Sequence, residues 1–319
     1  VKRKPIKGAP QYAISPEMRA DEALKAICEA LLGAITYHEP GVRLGEDDEF
    51  LHQFRVSTRR TRSALSSLKT VFERDTMKHY RGELRWLQQL TGPARDLDVW
   101  LIELAGYREE LPDAARAGLD NLAVFLTSER ADAYKALRRG VESRRYTRLV
   151  EGWSDFLTSK VPAKPPHKHA DMTVKKIAQR RLWRAYGELI RDGAAIDPDG
   201  PVEPLHALRI RGKKLRYLMG FFAQLFEERK IALMQPPLKE LQDVLGTLND
   251  LFVQQQGLRA SAVRMNKAGK ADVDTLLAIG RLSQVLSIRE AQTRLRFVDA
   301  FEALCSPHAA AAYKLLFKP

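Results

Sequence analysis

Two stretches of the chain place histidine, arginine and lysine at helical spacing: LHQFRVSTRRTRSALSSLKTVF (51–72) and LHALRIRGKKLRYLMGFFAQLF (205–226). At about 100° per residue, His52, Arg55, Arg59 and Arg62 share one stripe, with Arg60 at its margin. The second stretch repeats the stripe as His206, Arg209, Lys213 and Arg216, with Lys214 at the margin. Helical neighbours three and four apart have Cβ atoms about 5–6 Å apart, so each stripe is a ladder of cations, and like charges at that spacing are destabilising. Neither stretch contains an Asp or Glu that could pair along the helix. A solvated face is the ordinary explanation of one such stripe. Its recurrence at matched positions favours an anionic ligand instead. Arginine offers planar, bidentate donors suited to phosphate oxygens, whereas lysine acts as a point charge. Histidine can donate as well, and a nearby anion favours its protonated form.

A third row, Lys176, Arg180 and Arg184, is spaced by four and lies opposite Ile177, Leu182, Tyr186 and Leu189. The corresponding helix of the first half offers only Lys25, so the halves differ in charge.

The elements that must position these side chains are helices. Apolar residues recur with helical period over 20–38, 51–72, 77–90, 96–110, 114–139 and 146–158. They do so again over 172–191, 205–230, 236–245, 249–268 and 271–304, and strand signals are scarce. Phe54, Leu65, Leu68 and Phe72 form the expected core face of the first basic helix, and Leu208, Leu215, Leu218 and Phe222 that of the second. Proline and glycine punctuate the chain near 40, at 161–169 and at 197–204.

An internal repeat organises these helices. The offset of 154 that aligns the two ladders also aligns ELRWLQQLTGPARDLDV (83–99) with PLKELQDVLGTLNDLFV (237–253). The period is too long for a solenoid unit and predicts two related helical halves about a pseudo-two-fold axis. The boundaries expected are a disordered basic arm (1–15), a first half (16–160), a linker (161–170) and a second half (171–319).

Composition limits the function. The chain has 319 residues with 53 Lys and Arg against 40 Asp and Glu, a formal charge of +13. Such an excess argues for nucleic acid, an anionic membrane or another polyanion as partner. Cys28 and Cys305 fit no metal-ligand spacing, and both thiols are expected simply to pack. No apolar run approaches the roughly 20 residues of a membrane span. The basic start lacks the apolar region of a secretory signal, so the expected location is the cytoplasm.

The doubled H-x-x-R-x-x-x-[RK]-x-x-R pattern, with the doubled L-x-x-L-Q…G-x-x-x-D-L-x-V segment behind it, resembles the CHAD family of histidine-bearing α-helical domains. The resemblance runs from about residue 17 to 305. It implies an all-α fold of two four-helix halves around a basic central cleft, and binding of inorganic polyphosphate there. The phosphate contacts it implies are His52, Arg55, Arg59, Arg60 and Arg62, facing His206, Arg209, Lys213, Lys214 and Arg216. Lys176, Arg180 and Arg184 join them on the stripe argument alone. Gly212, inside the second basic helix, departs from strict symmetry and is expected where helices or ligand approach closely. Many relatives carry an N-terminal triphosphate-processing CYTH domain, and with some 15 residues before the first helix none is expected on this stretch.

An enzyme is not expected, and neither is a cofactor or a metal. Of the obvious carboxylates Asp96, Asp98 and Asp250, the first and last read as helix N-caps or arginine anchors, and no glycine-rich phosphate loop is present. Three other readings stand beside polyphosphate binding. One is a nucleic-acid binder, although aromatics do not interleave with the ladders as a stacking platform requires. Another is a metal-dependent phosphohydrolase built on His52, His206, Asp96 and Asp250. The third is docking to polyphosphate-rich granules.

Overall fold

A computed structural model describes residues 4–167 and 169–319, apart from the side chain of Ala114. Eleven α-helices, one short 3₁₀ turn and one isolated antiparallel bridge between Arg19 and Thr173 account for the secondary structure of these residues. The first half comprises α1 (Ala20–Leu44), α2 (Asp48–Ser67), α3 (Arg74–Leu90), α4 (Gly92–Glu110), α5 (Asp113–Val141) and α6 (Arg144–Thr158). The second comprises α7 (Val174–Ala194), α8 (Val202–Phe222), α9 (Glu228–Lys267), α10 (Val273–Cys305) and α11 (Pro307–Phe317). The expectation of four helices per half is therefore exceeded. The order of elements runs in parallel, with α9 in the place of α3 plus α4.

Several boundaries differ from the periodicity reading, and α2 stops at Ser67 and α8 at Phe222, short of 72 and 230. α1 continues through Pro40 to Leu44, where Gly45 in the left-handed region closes it with its N–H on the Gly41 carbonyl. α9 runs unbroken through Pro236, Pro237 and the GTLND stretch; a proline costs a helix one internal bond, and Met234, Leu238, Leu241, Val244, Leu245 and Leu248 anchor this helix through both interruptions. α11 was not expected. Ser306 caps it by accepting from the Ala309 N–H, and Tyr313 and Phe317 seat it in the core.

Two cores hold the molecule together. The larger draws on both halves and includes Phe54, Leu65 and Leu68 of the first basic helix and its connection, with Leu208, Leu215, Leu218 and Phe222 of the second. Phe72 packs half-buried against it. The expected core faces therefore form, and Ile177, Leu182, Tyr186 and Leu189 are buried too. The smaller core joins α4 and α5 to α9 and α10 through Leu104, Leu119, Leu122, Leu258, Leu282 and Leu286. Across this second junction Tyr107 donates to Gln254 at 2.8 Å, and Arg264 meets Glu129 at 2.7 Å. Cys28 is buried and free, its thiol pushed up by that burial, and Cys305 is free as well.

Residues 4–15 do not behave as the expected disordered arm; residues 1–3 of that arm lie outside the described residues. Tyr37 donates to the Lys4 carbonyl at 2.9 Å, the Ile6 N–H donates to His38 Nε2 at 3.2 Å, and Gln224 donates to the Tyr12 carbonyl at 2.8 Å. Tyr12 is buried edge-on to Phe221. The segment thus bridges α1 and the end of α8. The 161–170 linker is likewise pinned: Arg19 donates to the Pro162 carbonyl, and the Asp21 N–H to that of Ala170.

Gly41 faces the ring of Phe50, and a Cβ there would sit 2.3 Å from the ring carbon Cγ. Phe50 is 1% exposed and cannot yield outward. Gly41→Ala is therefore expected to destabilise the fold by about 1–3 kcal/mol, the usual cost of overpacking. Chemical denaturation checks this, and an unchanged midpoint would count against it.

Candidate polyanion-binding cleft

α2 and α8 are the elements on which the ladders stand, and α2 packs against α8 where the two halves meet. Their apolar faces drive the packing and leave the cations at the junction. The positive charge of Arg59 bears on both Arg209 and Lys213 across the interface. Burial, followed by Arg209 and Arg59, pushes the Lys213 ammonium down to about 8. Arg209 is lowered by burial as well, with Asp250 opposing and Arg59 assisting. The ladders are therefore one electrostatic unit, built from both halves.

Arg55 is lowered to about 10 by burial, with Asp96 opposing and Arg59 and Arg95 assisting. Its guanidinium donates to the Gln88 carbonyl and to Thr91 Oγ1, both at 2.8 Å, which fixes it to the junction of α3 and α4. His52 is held below its ordinary value by burial and by Arg95 and Arg59, against Glu49 and Asp48. Arg62 is lowered by burial and by Arg85 and Arg81 of α3. In the second half, His206 Nδ1 lies 2.6 Å from Asn249 Oδ1, and Arg209 reaches Asp250 at 3.4 Å.

Asp96 and Asp250 sit inside α4 and α9, so the N-cap reading gives way and the arginine-anchor reading remains. Among the described residues no three His, Cys, Asp or Glu side chains come together as a metal cluster. Gly212 receives Gln242: the amide donates to the Gly212 carbonyl at 3.1 Å.

At the junction lies a cavity of about 420 Å³ whose walls include His52, Arg59, Arg60, Arg216 and Tyr217. Gly8, Ala9 and Tyr12 line it on the side of the N-terminal segment. No carboxylate is among its lining residues. Glu49, one turn before Gln53, accepts from that amide at 2.6 Å outside the lining.

The remaining cations belong to another face. Lys214 meets Glu188 of α7 at 2.9 Å, with Arg211 at 3.1 Å on the same oxygen and Arg184 at 2.8 Å on the other. Burial would raise Glu188, but the hydrogen bonds from Lys214 and Arg184 and the charge of Arg211 outweigh it and hold the carboxyl at about 2. The ladder on α8 lacks a carboxylate of its own, yet its margin acquires one from α7. Arg180 and Arg184 line a separate 210 Å³ cavity with Arg181, His169 and Thr70, and Lys176 is exposed and lines none of these cavities. Arg184 of the third row thus meets the margin of the α8 ladder, sharing Glu188 and a second cavity with Lys214, whereas Lys176 stands apart.

Three cations beside the ladders escaped the sequence reading. Arg81 and Arg85 stand four apart on α3, a spacing that could have been read as a short row. Arg95 carries no such signal, because only the packing brings it beside His52.

The sequence profile of the CHAD domain matches residues 26–259. The chain is similar to the crystal structure of the CHAD domain from the plant Ricinus communis. The TM-score is 0.78 at 26% identity, covering 94% of this chain and 97% of that one. PptA from Streptomyces chartreusis shares the fold, with a TM-score of 0.67 at 19% identity over 89% of this chain and 99% of that one. Uncharacterized proteins from two strains of Mycobacterium tuberculosis are 27% identical over 264 residues, 80% of this chain and 48% of theirs. The chain thus spans about half the length of the curated relatives it matches.

Proposed function

The chain belongs to the CHAD family, and from that premise we propose that it binds inorganic polyphosphate, without catalysing its turnover, in the cleft between α2 and α8. The observation that carries this reading is the facing of the ladders: Arg59 acts on Arg209 and Lys213 from across the interface. Cations crowded until their own charge is disfavoured are relieved by an anion placed among them. A linear polyanion answers to rows of cations. Asp250 meets Arg209 at 3.4 Å, and the charge of Asp96 favours the charged form of Arg55, which favours holding over turnover. A cytoplasmic location and docking to polyphosphate-rich granules are part of the same proposal. No helix among the described residues is long and apolar enough to cross a membrane.

Nucleic acid is the competing ligand. The aromatics nearest the ladders, Tyr217 and Phe221, are buried and offer bases no open platform for stacking. The deciding experiment is a titration with long-chain polyphosphate in the presence of excess single-stranded DNA. Polyphosphate binding that persists supports the proposal, and displacement by DNA transfers the cleft to nucleic acid.

Binding should also take up protons. Lys213 at about 8 and His52 below its ordinary value are the groups whose charged forms a polyanion favours. A pKa raised on binding means proton uptake, so affinity falls as pH rises through about 8. Calorimetry at pH 8 in two buffers of different ionisation enthalpy measures the uptake directly. Proton release would contradict the assignment.

A further inference from the structure

Resting on that reading, we propose that α3 carries a further row of cations that takes additional phosphates of the same polyphosphate chain. The binding track then turns from the cleft onto a cavity lined by this helix. Arg74, Lys78, Arg81 and Arg85 follow one another at intervals of four, three and four along α3. At about 100° per residue they lie within about 60° of one another, on one face. Like charges at such spacings repel along a helix. Arg74 also stands in the first turn, where the helix dipole disfavours a cation. Helix stability therefore does not account for the row. All of these side chains are exposed, and none forms an ion pair among the described residues. By the same geometry Asp75 and Glu83 fall off this face, and Glu83 is held by Arg145 of α6 at 2.8 Å.

A cavity of about 650 Å³ gives the row a concave surface: Arg74, Lys78 and Arg81 line it, with Lys69 from the connection after α2. No Asp or Glu is among its lining residues. Continuity with the cleft is the second observation. Arg81 lines this cavity, and its charge, together with that of Arg85, bears on Arg62 of the α2 ladder. The row and the ladders are thus neighbouring parts of one positive field, with Arg62 between them. The second half has no equivalent. At the offset of 154 the places of Arg74, Lys78 and Arg81 hold Glu228, Ala232 and Gln235. Lys239 takes the place of Arg85 and is paired with Asp243 at 2.7 Å. The track therefore extends over the first half alone.

The test titrates polyphosphates of graded, defined length into the wild type, Arg74→Ala/Lys78→Ala and Arg259→Ala/Lys267→Ala. The last pair removes the same charge from exposed positions of α9 that line none of the cavities described. Long chains should bind the α3 variant about tenfold more weakly than the wild type, and the shortest chains that the wild type still holds should lose less than about twofold. Each phosphate contact carries roughly 0.7–0.9 of the salt slope, so that of long-chain binding should fall by about 1.4–1.8. The α9 variant should stay within about twofold of the wild type at every length. Unchanged long-chain binding by the α3 variant, with Arg59→Ala/Lys213→Ala weakened, overturns the extension and leaves the cleft intact. A loss independent of chain length, or an equal loss in the α9 variant, assigns the effect to the general field and overturns it as well. Failure of the wild type to bind any chain removes the polyphosphate reading together with this one.

Discussion

An Arg59→Ala/Lys213→Ala variant is expected to bind long-chain polyphosphate about 100-fold or more weakly than the wild type. Each side chain contributes a hydrogen bond from a charged group, worth about 1.5–3 kcal/mol, and 1.4 kcal/mol is tenfold in affinity. The two stand on different halves and bear on each other across the interface, so the variant removes one cation from each ladder where the halves meet. The salt dependence should flatten at the same time. Each phosphate contact removed takes roughly 0.7–0.9 from the slope of log K against log salt, as for other polyanions. Unfolding does not account for such a loss, because Lys213 is a cation whose charge the folded state disfavours. The melting temperature of the ligand-free variant should equal or exceed that of the wild type. Lys176→Ala supplies the comparison: exposed and outside these cavities, it should change affinity less than about twofold. A large effect at Lys176 with none at Arg59 and Lys213 would move the binding surface to α7.

Glu188→Gln should lower stability by about 2 kcal/mol. Removing one partner of a buried ion pair costs about 3–5 kcal/mol, and partial exposure of Arg184, Arg211 and Lys214 reduces this. The loss should depend on pH in one direction. Glu188 is held at about 2 against an ordinary value of 4.5. Its stabilisation is fully present above the ordinary value and disappears as pH falls through about 2. The gap between variant and wild type therefore closes on acidification from about pH 4.5 downward. Free inorganic phosphate should restore more stability to the variant than to the wild type, since the three cations then lack their anion. Melting curves across pH and phosphate concentration measure both effects. A gap that stays constant down to pH 2 would assign the loss to packing instead of charge.

The sequence alone determined the helical class and the ladders. Helical period is local: it needs only the spacing of Leu65, Leu68, Leu208 and Leu215 to say which face is buried, and the opposite face then belongs to His52, Arg55 and Arg59 by geometry. Repetition at an offset of 154 ties the two ladders together within the sequence itself. Helix ends were less legible. A proline is an obstacle only when nothing repays the missing bond, and the packing of α9 around Pro236 and Pro237 depends on distant residues.

Partnership between charges was decided by tertiary structure. Lys214 and Lys213 are neighbours in the chain, yet one meets Glu188 and the other is crowded by Arg59 and Arg209. The absence of acids within 205–226 is a fact about one helix; α7 brings its carboxylate from elsewhere. The same holds for Arg95, whose effect on His52 arises from what faces it. Periodicity fixes the direction in which a side chain points along its own helix, and a one-dimensional pattern carries no distance to the side chain opposite. The residue types and their rows were therefore legible in the sequence, while the division of those cations into paired and crowded was a property of the fold.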